Sequence, residues 1–335
     1  MENMDNPDTL RILKRFSGGY ISYENHLAVR HAVVQELARG SKDDIDLRIL
    51  KNLAQSDWYA GEDYYYYGDG SSFRCAAVRE IVRGWRDDIN TLPWLKNLAQ
   101  SDDSYHDFTV RIVVVQEIVQ GWKDDPNTLP WLENLAYCHH SYQVRCVAVK
   151  EIVQGWRDDS NTLPWLKNLA QSGDSYFDYA VRTAVVQEIV QGWRDDPNTL
   201  PWLKNLAQCH SNYNFGIGFG IEVVRTLSDS GKDDPDTLRI LKNLAQPNNN
   251  GYVRLEAVKA LASSWKDEPD TLPLFKDLAQ YRSDDSVRCE AVREIVRFWK
   301  NKSDILLLLK HLAQFDESSY VRYAATSGIR DWKDE

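Results

Sequence analysis

Six glutamates recur at one position of a repeated phrase: Glu36, Glu80, Glu117, Glu151, Glu188 and Glu294. Carboxylates can cleave glycosidic bonds in pairs, at separations of about 5 to 9.5 Å. Successive members of this row belong to successive helical repeats, about 10 Å apart, and Arg79, Lys150 and Arg293 directly precede three of them. The row therefore reads as a solvated ladder rather than a catalytic pair. Cys138, His139, His140 and Cys146 offer four metal-type ligands, but Cys146 opens a helix, where a small buried residue serves as well. Cys209 and His210 occupy the same turn two repeats on, about 20 Å away, and cannot share an ion with them. The chain has no nucleophile elbow and no Gly-rich phosphate cradle. No catalytic residue, metal or cofactor is expected.

The elements that carry these positions come from an internal repeat. Variants of TLPWLKNLAQ place a central apolar residue at Phe16, Leu53, Leu98, Leu135, Leu169, Leu206, Leu244, Leu278 and Leu312. A second phrase, VRxxAVxEIVxGW, lies between copies, with its arginine at Arg30, Arg74, Arg111, Arg145, Arg182, Arg254, Arg288 and Arg322, and Gly220 in that column of the sixth unit. Each unit reads as two helices. In the fourth, Thr128 is expected to cap the first helix and Pro130 to sit in its first turn. Arg145, Ala148, Val149, Ile152, Val153 and Trp156 then fall on one stripe of the second helix. Gly155 is expected to form a left-handed cap there. One helical pair cannot bury its own stripe, but stacked neighbours can. The expected fold is all-α, a right-handed α-solenoid of about nine helical hairpins forming a single array over 1–335. Approximate repeat bounds are 5–42, 43–87, 88–124, 125–158, 159–195, 196–233, 234–267, 268–301 and 302–335.

Composition narrows the partners. Forty basic against 50 acidic residues give a net charge of −10, which disfavours phosphate backbones and anionic membranes. No apolar run approaches a bilayer span of about 18 residues. The acidic start MENMDNPDTL is unlike a secretory signal. Five scattered cysteines suit a reducing, cytoplasmic setting. No nucleic acid and no membrane is expected as a partner, and the oligomeric state is open.

The paired phrases resemble HEAT repeats, and Val144-Arg145 and Val181-Arg182 carry the mark. The resemblance implies an Asp in each turn pairing with the Arg column, with Asp103, Asp174, Asp285 and Asp316 as candidates, although the fourth turn, CHHSYQ, lacks one. The wording VQEIVQGWRDDPNTLPWLKNLAQ (186–208) resembles the repeats that follow NACHT-type nucleotide-binding domains in cyanobacteria, implying a ligand-sensing array. The chain begins and ends almost on repeat boundaries, which suits a stand-alone array or a sensor excised from a larger protein. The expected function is a non-catalytic scaffold that binds a protein or peptide. The alternative that the resemblance implies is a component of a HEAT-repeat enzyme, such as a phycobilisome chromophore lyase subunit, and after it a DNA-gripping HEAT protein.

Two surfaces are candidates. Length varies only in the turn between the paired helices, and the insertions are aromatic: Trp58, Tyr59, Tyr64, Tyr65, Tyr66, Tyr67, Tyr105, Phe108, Tyr176, Phe177, Tyr179, Tyr213 and Phe215, among Ser, Gly, Asp and Asn. That is a paratope-like composition. Asp57, Glu62, Asp63 and Asp69 make the longest insertion acidic, so a basic partner face is expected. The second candidate is a concave groove lined by Val113, Gln120, Val147, Gln154 and Gln191, small and uncharged at its centre with mixed charge around it. The sixth repeat, with Gly220, Glu222, Ser228 and Gly231 at column positions, is expected to stack weakly.

Overall fold

The computed structural model describes residues 23–40, 42–55, 71–101, 108–172, 178–209, 217–281 and 284–333. Among them are 17 helices and no strand. The chain divides into two compact units, Met1–Thr162 and Leu163–Glu335. The first contains α1 (Tyr23–Arg39), α2 (Asp44–Gln55), α3 (Ser71–Trp85), α4 (Thr91–Gln100), α5 (Phe108–Trp122), α6 (Thr128–Cys138) and α7 (Tyr142–Trp156). Beginning at the boundary, α8 (Thr162–Gln171) leads into α9 (Asp178–Gly192), α10 (Thr199–Cys209), α11 (Ile217–Ser230) and α12 (Pro235–Leu244). The second unit ends with α13 (Gly251–Ser264), α14 (Thr271–Gln280), α15 (Asp285–Trp299), α16 (Ser303–Phe315) and α17 (Ser319–Lys333).

The turn entering each first helix follows from the DDxNT wording. The carboxylates of Asp88, Asp125, Asp159 and Asp196 accept from the backbone N–H of the Asn two residues on, at 2.7, 2.8, 2.8 and 2.7 Å. Their carbonyls accept from the next residue's N–H, that of Thr91, Thr128, Thr162 or Thr199, at 2.9–3.1 Å. These are Asx turns, in which Asp replaces a backbone acceptor. Thr128 is therefore not the N-cap. Asn127 precedes the helix without a side-chain cap bond, and Thr128 is its buried first residue. Gly155 is not a left-handed cap either: α7 runs through Trp156, and Arg157 after it is right-handed, with φ −54°.

The stripes pack as the spacing requires. Leu132, Leu135 and Ala136 of α6 are buried with Val144, Ala148, Val149, Ile152 and Val153 of α7. Each Leu, Val or Ile among them contributes about 1.5–3 kcal/mol by leaving water. In each unit second helices stack on second helices: α1, α3, α5 and α7 in the first; α9, α11, α13, α15 and α17 in the second. First helices meet one another more sparsely, so the second helices form the inner row. On the opposite side, lysine ammonium groups lie over the tryptophans of the next hairpin. Lys51 faces Trp94 at 5.2 Å, Lys96 faces Trp131 at 5.5 Å and Lys167 faces Trp202 at 5.8 Å. Each unit is thus an all-α solenoid of stacked hairpins.

Candidate functional site

The Arg column ties the two helices of a hairpin together and, at Arg111, Arg254 and Arg288, joins that hairpin to the next. Arg74, Arg145 and Arg182 donate from Nε to the carbonyls of Ala54, Ala136 and Ala170, which lack helical partners, at 3.0, 2.7 and 2.7 Å. Beyond that carbonyl the guanidinium reaches the following turn. Arg254 Nη1 meets Asp284 at 3.0 Å, and Arg288 clasps Asp316 through Nε and Nη2 at 3.2 and 3.1 Å. Asp284, not the expected Asp285, takes this place, because Asp284 also caps α15 by accepting from Ser286 and Val287. Asp103 and Asp174 lie outside the described residues.

In the fourth turn histidines stand where Asp is absent. Arg111 Nη1 lies 3.2 Å from His140 Nε2, and since a guanidinium cannot accept, the imidazole nitrogen does. His139 is buried and stacked on His140 at 4.2 Å. Its Nε2 donates to the Ala99 carbonyl at 3.0 Å and its Nδ1 accepts from Ser141 N–H at 2.9 Å. Burial, then the neighbouring His140, hold His139 below the ordinary imidazole range. Burial also pushes the Cys146 thiol up to about 11. Among the described residues no three His, Cys, Asp or Glu side chains converge as a metal site.

The glutamate row is recessed in the inner row of helices. Glu36, Glu151 and Glu294 are buried. Burial raises the carboxyls of Glu117, Glu151 and Glu294, opposed chiefly by Arg79, Lys150 and Arg297. Arginines stand beside two of them: Arg79 bridges to Glu117 of the next hairpin at 3.5 Å, and Arg297 approaches Glu294 at 3.8 Å. Perturbed carboxyls can mark active sites, but here each stands with a cation of the scaffold.

The groove positions divide by depth. Gln120, Gln154 and Gln191 are exposed, Val147 is half-buried, and Val113 is 7% exposed and belongs mainly to the core. Farther along, polar bonds cross between second helices, from Gln187 to Glu222 at 2.8 Å and from Arg225 to Glu256 at 3.1 Å.

At the turn edge, Trp58, Tyr59, Tyr64, Tyr65, Tyr66, Tyr67, Tyr105, Tyr176, Phe177, Tyr213 and Phe215 lie outside the described residues. Phe108 and Tyr179 are half-buried. The Tyr179 ring packs on the first turn of α11, where a Cβ at Gly218 would lie 3.4 Å from its Cε2. Length counting missed six exposed tyrosines around turns of basal length: Tyr137, Tyr142, Tyr252, Tyr281, Tyr320 and Tyr323. Their signal was position, since each lies at the end of a first helix or in the opening turns of a second helix. Beside Tyr320 is a cleft of about 260 Å³ lined by Leu255 of α13, Asp285, Ser286, Cys289, Glu290 and Arg293 of α15, and Tyr320 of α17.

Residues 241–330, which include α13 to α16 and most of α17, match the family model described as HEAT repeats. No curated protein matches the sequence. Among solved structures, YibA of Escherichia coli is 19% identical with a TM-score of 0.41, the match covering 93% of this chain and 98% of that one. The UNC-45 chaperone, described as binding and folding muscle myosin, is 13% identical with a TM-score of 0.26; the match covers 96% of this chain and 47% of that one. A computationally designed, self-assembling cyclic homo-oligomer is 14% identical with a TM-score of 0.12, over 92% and 98% of the two chains. Among the described residues no helix is long and apolar enough to cross a membrane.

Proposed function

We propose that this chain is a non-catalytic repeat scaffold that binds a protein or peptide through the turn edge of its hairpins. The observation that carries the reading is the exposure of Tyr252, Tyr281, Tyr320 and Tyr323 along the turns of the second unit. Large rings left in water at the same end of successive hairpins offer contact area at low entropy cost, and such anchors concentrate binding energy. The inserted aromatics from Trp58 to Phe215 extend that edge in this reading, and the nine repeat bounds set out above belong to it. The finer role is the ligand-sensing region of a NACHT-type receptor in the cytoplasm, supported by the wording of 186–208.

The test is capture of a partner by the full chain, followed by identification and a binding titration. Changing Tyr252, Tyr281, Tyr320 and Tyr323 together to Ser should weaken that partner at least tenfold. A second variant, with Trp58, Tyr65, Tyr66, Tyr105 and Tyr176 changed to Ala, probes the insertions. Undiminished binding by both variants would remove the turn edge as the recognition surface.

A further inference from the structure

The inner face of α11, α13 and α15 carries charge in two layers. Arg225, Lys259 and Arg293 stand at one column of three consecutive repeats, and Glu222, Glu256 and Glu290 at the column three residues earlier. Arg225 and Arg293 keep 54% and 62% of their side-chain surface exposed, whereas the three glutamates keep 14–16%. A partner meeting this face touches the cations first. Long basic side chains overlie the shorter acids because their stems span the helix surface while their heads stay wet.

The cations retain bonding capacity. Arg225 spends Nε and Nη2 on Glu256 and Nη1 on Glu222, all at 3.1 Å. A guanidinium has five N–H donors, so two remain. Lys259 is exposed, and its charge also acts on the buried Glu294 of the next hairpin. Arg293 Nη1 meets Glu290 Oε2 at 3.4 Å. The row ends at the cleft, where the polar wall groups have partners of their own. Asp285 accepts from Ser318 at 3.1 Å, and the Cys289 thiol donates to the Tyr320 carbonyl at 3.7 Å. Leu255 and the Tyr320 ring supply the cleft's apolar lining beside the exposed Asp285, Ser286 and Arg293, in a space smaller than the roughly 300–1,000 Å³ of small-molecule pockets.

We propose that this face binds an extended acidic polypeptide segment, its carboxylates on Arg225, Lys259 and Arg293 and one apolar side chain in the cleft beside Tyr320. The proposal rests on the protein-binding reading above and adds a partner chemistry and a second contact surface. Its register follows from spacing. Packed helices stand about 8–10 Å apart, and an extended polyproline-type chain rises about 3.1 Å per residue. An acid at every third residue therefore meets each cation in turn. A polyphosphate is a poorer fit, because each cation is offset by a glutamate beneath it, whereas nucleic-acid affinity draws on uncompensated Lys and Arg. A carboxylate needs only short charge-assisted bonds to the outward donors.

The experiment is fluorescence anisotropy on the full chain at low salt. The probes are a labelled peptide with Glu at every third position and a central Leu, its Lys-for-Glu counterpart, and a single-stranded oligonucleotide. Saturable binding of the acidic peptide is expected, weakened at least tenfold by Lys259→Glu and by Arg293→Gln. Lys259 is exposed, so its variant keeps the fold, which circular dichroism checks. The proposal is overturned by an acidic peptide that does not saturate, by equal binding to Lys259→Glu, or by tighter binding of the oligonucleotide or the Lys peptide. If the captured partner of the tyrosine experiment is lost on changing the tyrosines and the acidic peptide still fails, the scaffold reading stands and this proposal falls.

Discussion

Replacing Asp316 with Asn should loosen the last hairpin specifically. Arg288 and Asp316 are 5% and 8% exposed at their side chains and share two bonds, with Arg288 Nη1 also on the Tyr281 carbonyl at 3.3 Å. Asp316 Oδ1 further accepts from Ser318 N–H at 2.8 Å, a bond that Asn keeps. The substitution thus removes charge while preserving shape, and leaves a guanidinium buried without its counter-ion. Breaking a buried pair from one side costs about 3–5 kcal/mol. For a unit of Leu163–Glu335, each kcal/mol lowers Tm by about 2–4 °C, giving at least about 6 °C if the unit melts together. In a solenoid the loss falls first on the interface that held the pair. Hydrogen exchange should therefore accelerate in α16 and α17 while α13 keeps its protection. The double variant Arg288→Met, Asp316→Asn should recover most of the loss, since no buried charge remains. A loss below about 1 kcal/mol in urea melts, or equal loss of protection in α13, would show that the ladder does not join these hairpins.

Two glycines should respond oppositely to alanine. A Cβ at Gly231 would collide with the Thr237 hydroxyl and lie 3.1 Å from its Cβ, so Gly231→Ala should destabilise; an unchanged melt refutes that close approach. At Gly155 it would lie 3.7 Å from Lys123 Cε, so Gly155→Ala should gain about 0.5–1 kcal/mol in urea melts, and a loss would show that the helix end is not regular. Burial holds Glu151 above the ordinary carboxylate range, against Lys150 and a bond from Gln116. The native state therefore binds that proton more tightly than the unfolded chain, and the group's contribution to stability rises as pH falls from about 7 to about 5. Glu151→Gln should shrink that gain in urea melts at the two pH values. His139, held low, acts with the opposite sign in both proteins and cancels in the difference. An identical gain in both would place Glu151 in water.

The hairpins were legible because one signal, apolar spacing at fixed columns, decides both helix identity and burial. Ile152 and Leu135 are core for the same reason that they recur. The caps were less legible. Thr128 belongs to a residue class that commonly caps helices, but Asp125, three residues earlier, already holds the turn, which turns Thr128 inward. The sixth repeat shows another limit of reading columns. Counted column by column it lacks Arg, Val and Trp, yet its replacements meet new partners. Arg182 lies 4.0 Å over the Phe219 ring, Gln187 reaches Glu222, and Gly231 gives Thr237 its place. Those are pair properties, invisible to a column read alone.

The layering of charge on the inner face was illegible for a related reason. A net charge of −10 and an acidic insertion pointed to a basic partner, and the inner columns counted as mixed. Counting gives each charge equal weight, but a partner does not meet them equally. Residues three apart on a helix are neighbours, and the longer side chain lies above the shorter one. With Arg or Lys placed three residues after Glu on one face, the acid sinks to the helix surface and the cation becomes the wall. Reversing the order at one rung, with Glu256→Lys and Lys259→Glu, leaves the net charge unchanged but places the acid at the exposed site. The inner face should then lose the acidic peptide while the chain's charge and helicity stay constant. If binding survives that exchange, it depends on total charge, and the layered arrangement has no part in recognition.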